Sequence, residues 1–199
     1  VFIVAVSTGP KFTRFRADGS IDSLFGVGGS ITLDRGFSQA EVLEDERIII
    51  ASARRILSGY ICDFGICRDV YTNSIYLARL NADGSPDTSF GTDGEVAIDL
   101  DDYFGSESHD VITHMTVQPD EKMVVIVESL VPEGGRKNRF TNIVRYAPDG
   151  VLDQSFGNGG ITEFSHTTGN SRQRASKLQL QSDGKLLIQL IDGVTHTQH

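Results

Sequence analysis

One pattern recurs three times and constrains the fold more than any other feature of the chain. It reads D-G-x-x-D-x-x-F-G-x-x-G and begins at Asp18, Asp83 and Asp149. Its phenylalanines, Phe25, Phe90 and Phe156, stand 65 and 66 positions apart. Self-similarity at a near-constant period is the mark of a repeat architecture. The leading pairs Asp18-Gly19, Asp83-Gly84 and Asp149-Gly150 supply an aspartate that bonds its own turn and a residue free to take positive φ. The second aspartates, Asp22, Asp87 and Asp153, stand where a side chain caps a helical turn or holds a loop through backbone N–H groups. The phenylalanine is the one large apolar residue common to all copies, so it is expected to plug the gap between neighbouring units. Gly26, Gly91 and Gly157 then let the chain reverse. Arg14, Arg79 and Arg145 each lie four positions before the first aspartate. Their recurrence predicts a structural bond to a corner carboxylate rather than a ligand-lining role.

Between the copies, period-2 alternation and β-branched runs dominate, and no long stretch has the 3.6 period of an amphipathic helix. Strands are predicted at residues 1–6, 12–16, 29–33, 39–43, 47–53, 74–80, 94–100, 111–117, 122–128, 141–147, 160–164, 176–181 and 185–190. With four strands a, b, c and d to a unit, the order is c, d; a, b, c, d; a, b, c, d; a, b, c. The fold class is therefore all-β: a β-propeller, or open propeller segment, of four-stranded antiparallel blades, about three and a quarter of them in this chain. The expected units are 1–28 (end of a preceding blade and corner), 29–93 and 94–159 (blades with their corners), and 160–199 (an incomplete blade and tail). WD-type blades are shorter, about 40–45 residues, and carry a Trp-Asp signature. This chain has no tryptophan.

At these residues the chain resembles the delta-60 repeat family of bacterial β-propellers, a domain of unknown function. The stretch from Leu80-Asn81-Ala82-Asp83 to Gly94 follows its pattern, with Pro86 in place of a leucine. Gln181-Ser182-Asp183-Gly184-Lys185 follows a second signature, which Gln118-Pro119-Asp120-Glu121-Lys122 and Leu43-Glu44-Asp45-Glu46-Arg47 repeat less faithfully. The resemblance implies a propeller in an extracellular or cell-surface setting, and it implies no catalytic residues and no cofactor.

Charge narrows the partners. Lys and Arg number 18 against 27 Asp and Glu, a net charge of −9 over 199 residues. Phosphate binding needs the opposite balance, so no nucleic-acid partner is expected. No apolar run reaches membrane-spanning length. The chain begins in mid-repeat without a signal peptide, and is expected to be an excerpt or a processed piece. Cys62 and Cys67 lie five apart in one polar stretch. A loop-closing disulfide and two unrelated thiols both fit that spacing, and the disulfide would require an oxidising compartment.

Antiparallel strand order puts the variable stretches, residues 54–73, 101–110, 129–140 and 165–175, at one end of the blades. The uniform turns fall at the other. Variable loops on a rigid scaffold read as recognition. They include an acidic cluster, Asp99, Asp101, Asp102, Glu107 and Asp110, of which Asp101, Asp102, Glu107 and Asp110 are weak calcium candidates. They also include a basic cluster, Arg136, Lys137 and Arg139; a solvated loop is the favoured reading of both clusters, since charge blocks usually lie at the surface. Asn81, Asp83, Ser85 and Asp87 alternate like the start of a calcium loop, but the glycine is misplaced and no bidentate glutamate follows. His109, His114, His166, His196 and His199 accompany no nucleophile elbow or zinc signature. The expected function is a non-enzymatic scaffold presenting a binding surface to a protein or carbohydrate ligand. The alternatives are a hydrolase-like enzyme with its site in the channel, or a structural spacer. Three and a quarter blades leave sheet faces uncapped, so self-association or continuation of the ring in a longer chain is expected.

Overall fold

The structure, a computed structural model, describes residues 2–6, 11–33, 36–63, 66–99, 109–133, 136–165 and 174–191. Every regular element among them is a strand: β1 Phe2–Val6, β2 Lys11–Phe15, β3 Ser30–Thr32, β4 Gln39–Val42, β5 Ile48–Asp63, β6 Ile66–Leu80, β7 Glu95–Asp99, β8 His109–Val117, β9 Met123–Glu133, β10 Arg136–Tyr146, β11 Ile161–Ser165, β12 Arg174–Leu180 and β13 Leu186–Ile191. They form four antiparallel sheets, ordered β1-β2-β3, β4-β5-β6-β7, β8-β9-β10-β11 and β12-β13. The chain is an open β-propeller segment.

The grouping of strands differs from the expected unit boundaries at 28, 93 and 159. Each corner was expected to pass from one blade to the next. Instead the strand after a corner pairs with the strand before it: β3 on β2, β7 on β6 and β11 on β10. The cause is how tightly the corner reverses. Arg79 N–H donates to Gly94 O, and Asp87 N–H donates to Arg79 O, both at 2.9 Å. The chain therefore emerges alongside the open edge of β6. The crossings between sheets fall between β3 and β4, β7 and β8, and β11 and β12.

A second difference concerns residues 54–73 and 129–140, expected as polar loops. They are the outer halves of two long hairpins. β5 and β6 stay paired out to Asp63↔Ile66, and β9 and β10 out to Glu133↔Arg136. Arg54, Arg55, Asp63, Arg68 and Asp69 give the first stretch a polar composition. Ile56, Leu57, Tyr60, Ile61, Ile66, Val70 and Tyr71 nevertheless make it a good strand former.

Two apolar layers hold the sheets together. Between the first and second sheets lie Phe12, Phe25, Ile48, Ile50 and Leu80. Between the second and third, Ile49, Ala51, Ile75 and Leu77 meet Val125, Val127, Val144 and Tyr146, with Phe90 sealing one end. Residues of β9 from Met123 to Ser129 are all buried, because this strand is covered on both faces. That explains its unbroken apolar run, Met-Val-Val-Ile-Val. Side chains also join the leading strands of the two full sheets. Gln39 Nε2 donates to Thr113 O, and Glu41 Oε2 accepts from Val117 N–H, both at 3.0 Å.

Candidate functional site

The corners occupy one end of the sheets and are built alike. Asp83 Oδ1 accepts from the N–H and hydroxyl of Ser85 at 2.9 and 2.6 Å, and Asp18 does the same with Ser20. Asp149 accepts from Val151 N–H at 3.1 Å. The second aspartate works harder. Asp87 Oδ1 takes the N–H and hydroxyl of Ser89, while its Oδ2 takes Arg79 Nε at 2.7 Å. Asp153 repeats this with Ser155 and Arg145, and Asp22 with Leu24 N–H and Arg14. Each guanidinium lies over the phenylalanine of its own corner, at 4.8, 4.8 and 4.4 Å for Arg14–Phe25, Arg79–Phe90 and Arg145–Phe156.

Two of the arginines also leave their own sheet. Arg79 Nη1 donates to Pro148 O, just before Asp149, at 3.0 Å. Arg14 Nη1 donates to Ala82 O, just before Asp83. The phenylalanines follow the same path. A Cβ built on Gly84 would lie 2.9 Å from the Phe25 ring, and one on Gly150 would lie 2.9 Å from the Phe90 ring. Both glycines have φ near +90°, at 88° and 89°. The first and second corners are thus each clamped onto the corner of the next sheet, although neither joins two sheets covalently. A second basic residue reinforces the clamp. Arg47, on the turn before β5, lies 3.9 Å from Asp87 and 2.7 Å from Glu121, and Lys122 lies 3.4 Å from Asp153.

These bonds depress the corner carboxyls. Hydroxyl and N–H donation from the serine two residues on holds Asp18, Asp83, Asp87 and Asp153 below the usual aspartate range, with nearby arginine or lysine adding to it. At Asp22 burial pushes upward and is outweighed by Leu24 N–H and Arg14. Glu41 moves the other way, raised by burial against the N–H of Val117. A depressed folded pKa contributes stability above the unfolded value, about 3.9, and loses it as pH falls through the folded one. The aspartates outnumber the one opposing glutamate. Thermal midpoints are therefore expected to stay level from pH 7 to about 5 and to drop steeply below about 4. Melts recorded in that series check this, and a midpoint unchanged at the acid end would contradict it.

The opposite end carries the variable surface. Beyond Ser74↔Asp99, among the described residues, β5 and β6 pair only with each other, so their outer parts form a two-stranded ribbon that extends past the sheet. It reaches roughly 30 Å at about 3.4 Å per residue. Cys62 and Cys67 face one another near its tip, joined by a disulfide with Cα atoms 4.0 Å apart. Leu57, Tyr60 and Ile66 are exposed on it, the last two at 67% and 76%. In the third sheet buried polar groups meet across β8, β9 and β10. Asn142 Nδ2 donates to Ser129 Oγ at 3.3 Å, and Asp110 is buried at the start of β8 opposite Ser129.

The other predicted residues scatter. Asp101, Asp102, Glu107, His166, His196 and His199 lie outside the described residues, as do the side chains of Arg136, Lys137 and His109. Asp99 is exposed at the end of β7, and His114 is partly buried on β8, opposite Ile126. Among the described residues no three His, Cys, Asp or Glu side chains converge to hold a metal ion. Arg139, read as part of a basic loop, pairs with Glu128. The sequence reading missed Glu128. It is buried, and its Oε1 accepts from Ala175 N–H at 3.0 Å, tying the third sheet to the fourth. The available signal was a carboxylate directly after the apolar run of β9, a position that is buried unless the strand ends there.

A family model described as "Domain of unknown function (DUF5122) beta-propeller" matches residues 70–90 and 118–156. The matched stretches hold most of the second corner, the turn before β9 and the third corner as far as Phe156. No curated protein and no solved structure matches the chain significantly. Over those stretches the chain is similar to a β-propeller repeat family of unknown function.

Proposed function

We propose that this chain is a non-enzymatic propeller scaffold of the delta-60 repeat type that presents a protein- or glycan-binding surface from its loop end, within a larger secreted or surface protein. The observation that carries this reading is the contrast between the two ends of the sheets. Three corners repeat one set of bonds, whereas the two long hairpins at the other end differ in length, sequence and cross-linking. An aromatic and aliphatic side chain held out on a disulfide-pinned ribbon suits docking to an apolar patch on a protein or to the face of a sugar ring. A disulfide also suits an oxidising compartment.

The test uses an array of polysaccharides and a display library of extracellular proteins, probed with the wild type and two variants. Tyr60→Ser/Ile66→Ser alters the ribbon, and Leu24→Ser alters an equally exposed residue, 76%, at the corner end. Binding is expected to fall at least tenfold in the ribbon variant, since aromatic anchors are worth 2 kcal/mol or more at an interface, roughly. Leu24→Ser is expected to bind normally. A bound molecule that depends on Leu24 and ignores the ribbon would overturn the assignment.

A further inference from the structure

The pairing of β5 with β6 slips by one residue inside the ribbon. Leu57 pairs with Tyr71 and Gly59 with Val70, so Ser58 is an extra residue on β5, a β-bulge. The extra residue reverses the side-chain phase of that strand. Residues directly opposite one another share a face of a ladder, and faces alternate along each strand. Tyr60 pairs with Asp69 and Cys62 with Cys67, which puts these four on one face. Tyr71 stands two positions from Asp69 and shares that face, as does its partner Leu57. Without the bulge Leu57 and Tyr60, three positions apart, would stand on opposite faces. Gly59 and the Asp63–Ile66 pair belong to the reverse face.

The face so assembled joins apolar rings to one oriented carboxylate. Tyr60 and Leu57 are exposed, as are Asp69 and both cysteines, and Tyr71 is half-buried. The Tyr71 hydroxyl donates to Asp69 Oδ2 at 3.0 Å. That bond holds the carboxylate beside the rings and leaves it lone pairs for further donors. Tyr60 and Tyr71 are diagonal neighbours across the ladder, about 7–8 Å apart along the backbone. The disulfide fixes the register two residues beyond Tyr60.

We infer that this face is a platform for a neutral sugar chain linked through equatorial oxygens, an inference that rests on the ribbon being the binding surface. Its size favours a sugar over a protein. From Leu57 to Cys62 it is about 15 Å long, and two strands with their side chains make it about 10 Å wide. An area on the order of 150 Å² is far below the roughly 800 Å² that a protein partner takes from each side. It matches two sugar rings. An equatorially linked pyranose chain is flat and turns axial C–H groups outward, which suits the negative face of a phenol ring. Its hydroxyls can donate to Asp69, since an ionised carboxylate only accepts. The same carboxylate, on a chain of net charge −9, repels uronates and sulfated sugars.

Titration calorimetry and tyrosine emission on the full chain test this; emission is readable because the chain has no tryptophan. The probes are hexasaccharides of β-1,4-linked glucose, xylose, mannose and N-acetylglucosamine, with curled maltohexaose and anionic polygalacturonate as controls. At least one of the four is expected to bind with a Kd below about 1 mM and to change the emission, and the controls are not. Tyr60→Ser should weaken that Kd at least tenfold, and Asp69→Ala about tenfold. Asp63→Ala removes an exposed carboxylate from the reverse face and should leave it within twofold. Silence from all four sugars would overturn the platform. A protein whose binding Tyr60→Ser abolishes would then still support the ribbon as the binding surface, so the two readings fail separately. Binding of maltohexaose as tight as the best of the four would overturn the flat-chain geometry. A loss in Asp63→Ala equal to that in Asp69→Ala would overturn the assignment of the face.

Discussion

Replacing Phe90 with alanine is expected to cost about 3–5 kcal/mol of unfolding free energy. The ring is fully enclosed. It lies under the Arg79 guanidinium, packs against the Gly150 backbone, and joins the layer of Ile49, Leu77, Val125 and Tyr146. Its neighbours are fixed by ladder pairing and by the corner bonds, so they cannot collapse into the space it leaves. Against a total of about 5–15 kcal/mol for a typical domain, the variant would sit close to its unfolding midpoint. Phe156→Ala removes the same atoms from a half-buried ring that meets no further corner among the described residues, and should cost less than half as much. Urea denaturation of the two variants measures both values. Equal losses would mean that the corners are independent of one another.

Adding a single methyl group at the turn glycines should also be costly. Gly150→Ala places a Cβ 2.5 Å from Val96 Cγ2 and 2.9 Å from the Phe90 ring, at φ +89°. Positive φ costs about 1 kcal/mol or more for alanine, and forced overlap adds about 1–3 kcal/mol. A loss of about 2–4 kcal/mol is expected. Gly84→Ala meets the Phe25 ring at 2.9 Å and Ile31 at 2.8 Å, and should behave alike. Gly19→Ala carries the backbone strain alone, about 1 kcal/mol. Urea midpoints for the three variants check this. The difference between Gly19 and the other two isolates the clamp from the turn.

The corner's chemistry was readable before any coordinates because all of it is local. Asp83 to Ser85 and Asp87 to Ser89 are bonds across two residues, set by side chains that reach their own backbone. The arginine's recurrence pointed to a carboxylate for the same reason. What the sequence left hidden is non-local. That Arg79 also reaches Pro148, 69 positions away, depends on how two sheets stack. Strand grouping was misread because a strand after a tight reversal has two open edges available, and alternation alone does not choose between them. The ribbon was missed because the charged residues in its sequence break the alternation that marks a strand. Glu128 followed an apolar run and was taken as its end, yet it is buried because Arg139 and the Ala175 N–H both bond to it.

The central claim is that successive sheets are clamped together by a phenylalanine closing on the next corner's glycine. A double-mutant cycle between Phe25→Leu and Gly84→Ala tests it most directly. The Cβ on Gly84 would meet Cε2 and Cδ2 of Phe25, and leucine lacks the outer of these atoms. The two positions lie 59 residues apart in sequence and share no strand. If the clamp exists, Gly84→Ala will cost at least about 1 kcal/mol less in the Phe25→Leu background than in the wild type. Losses that add to within about 0.5 kcal/mol would contradict it.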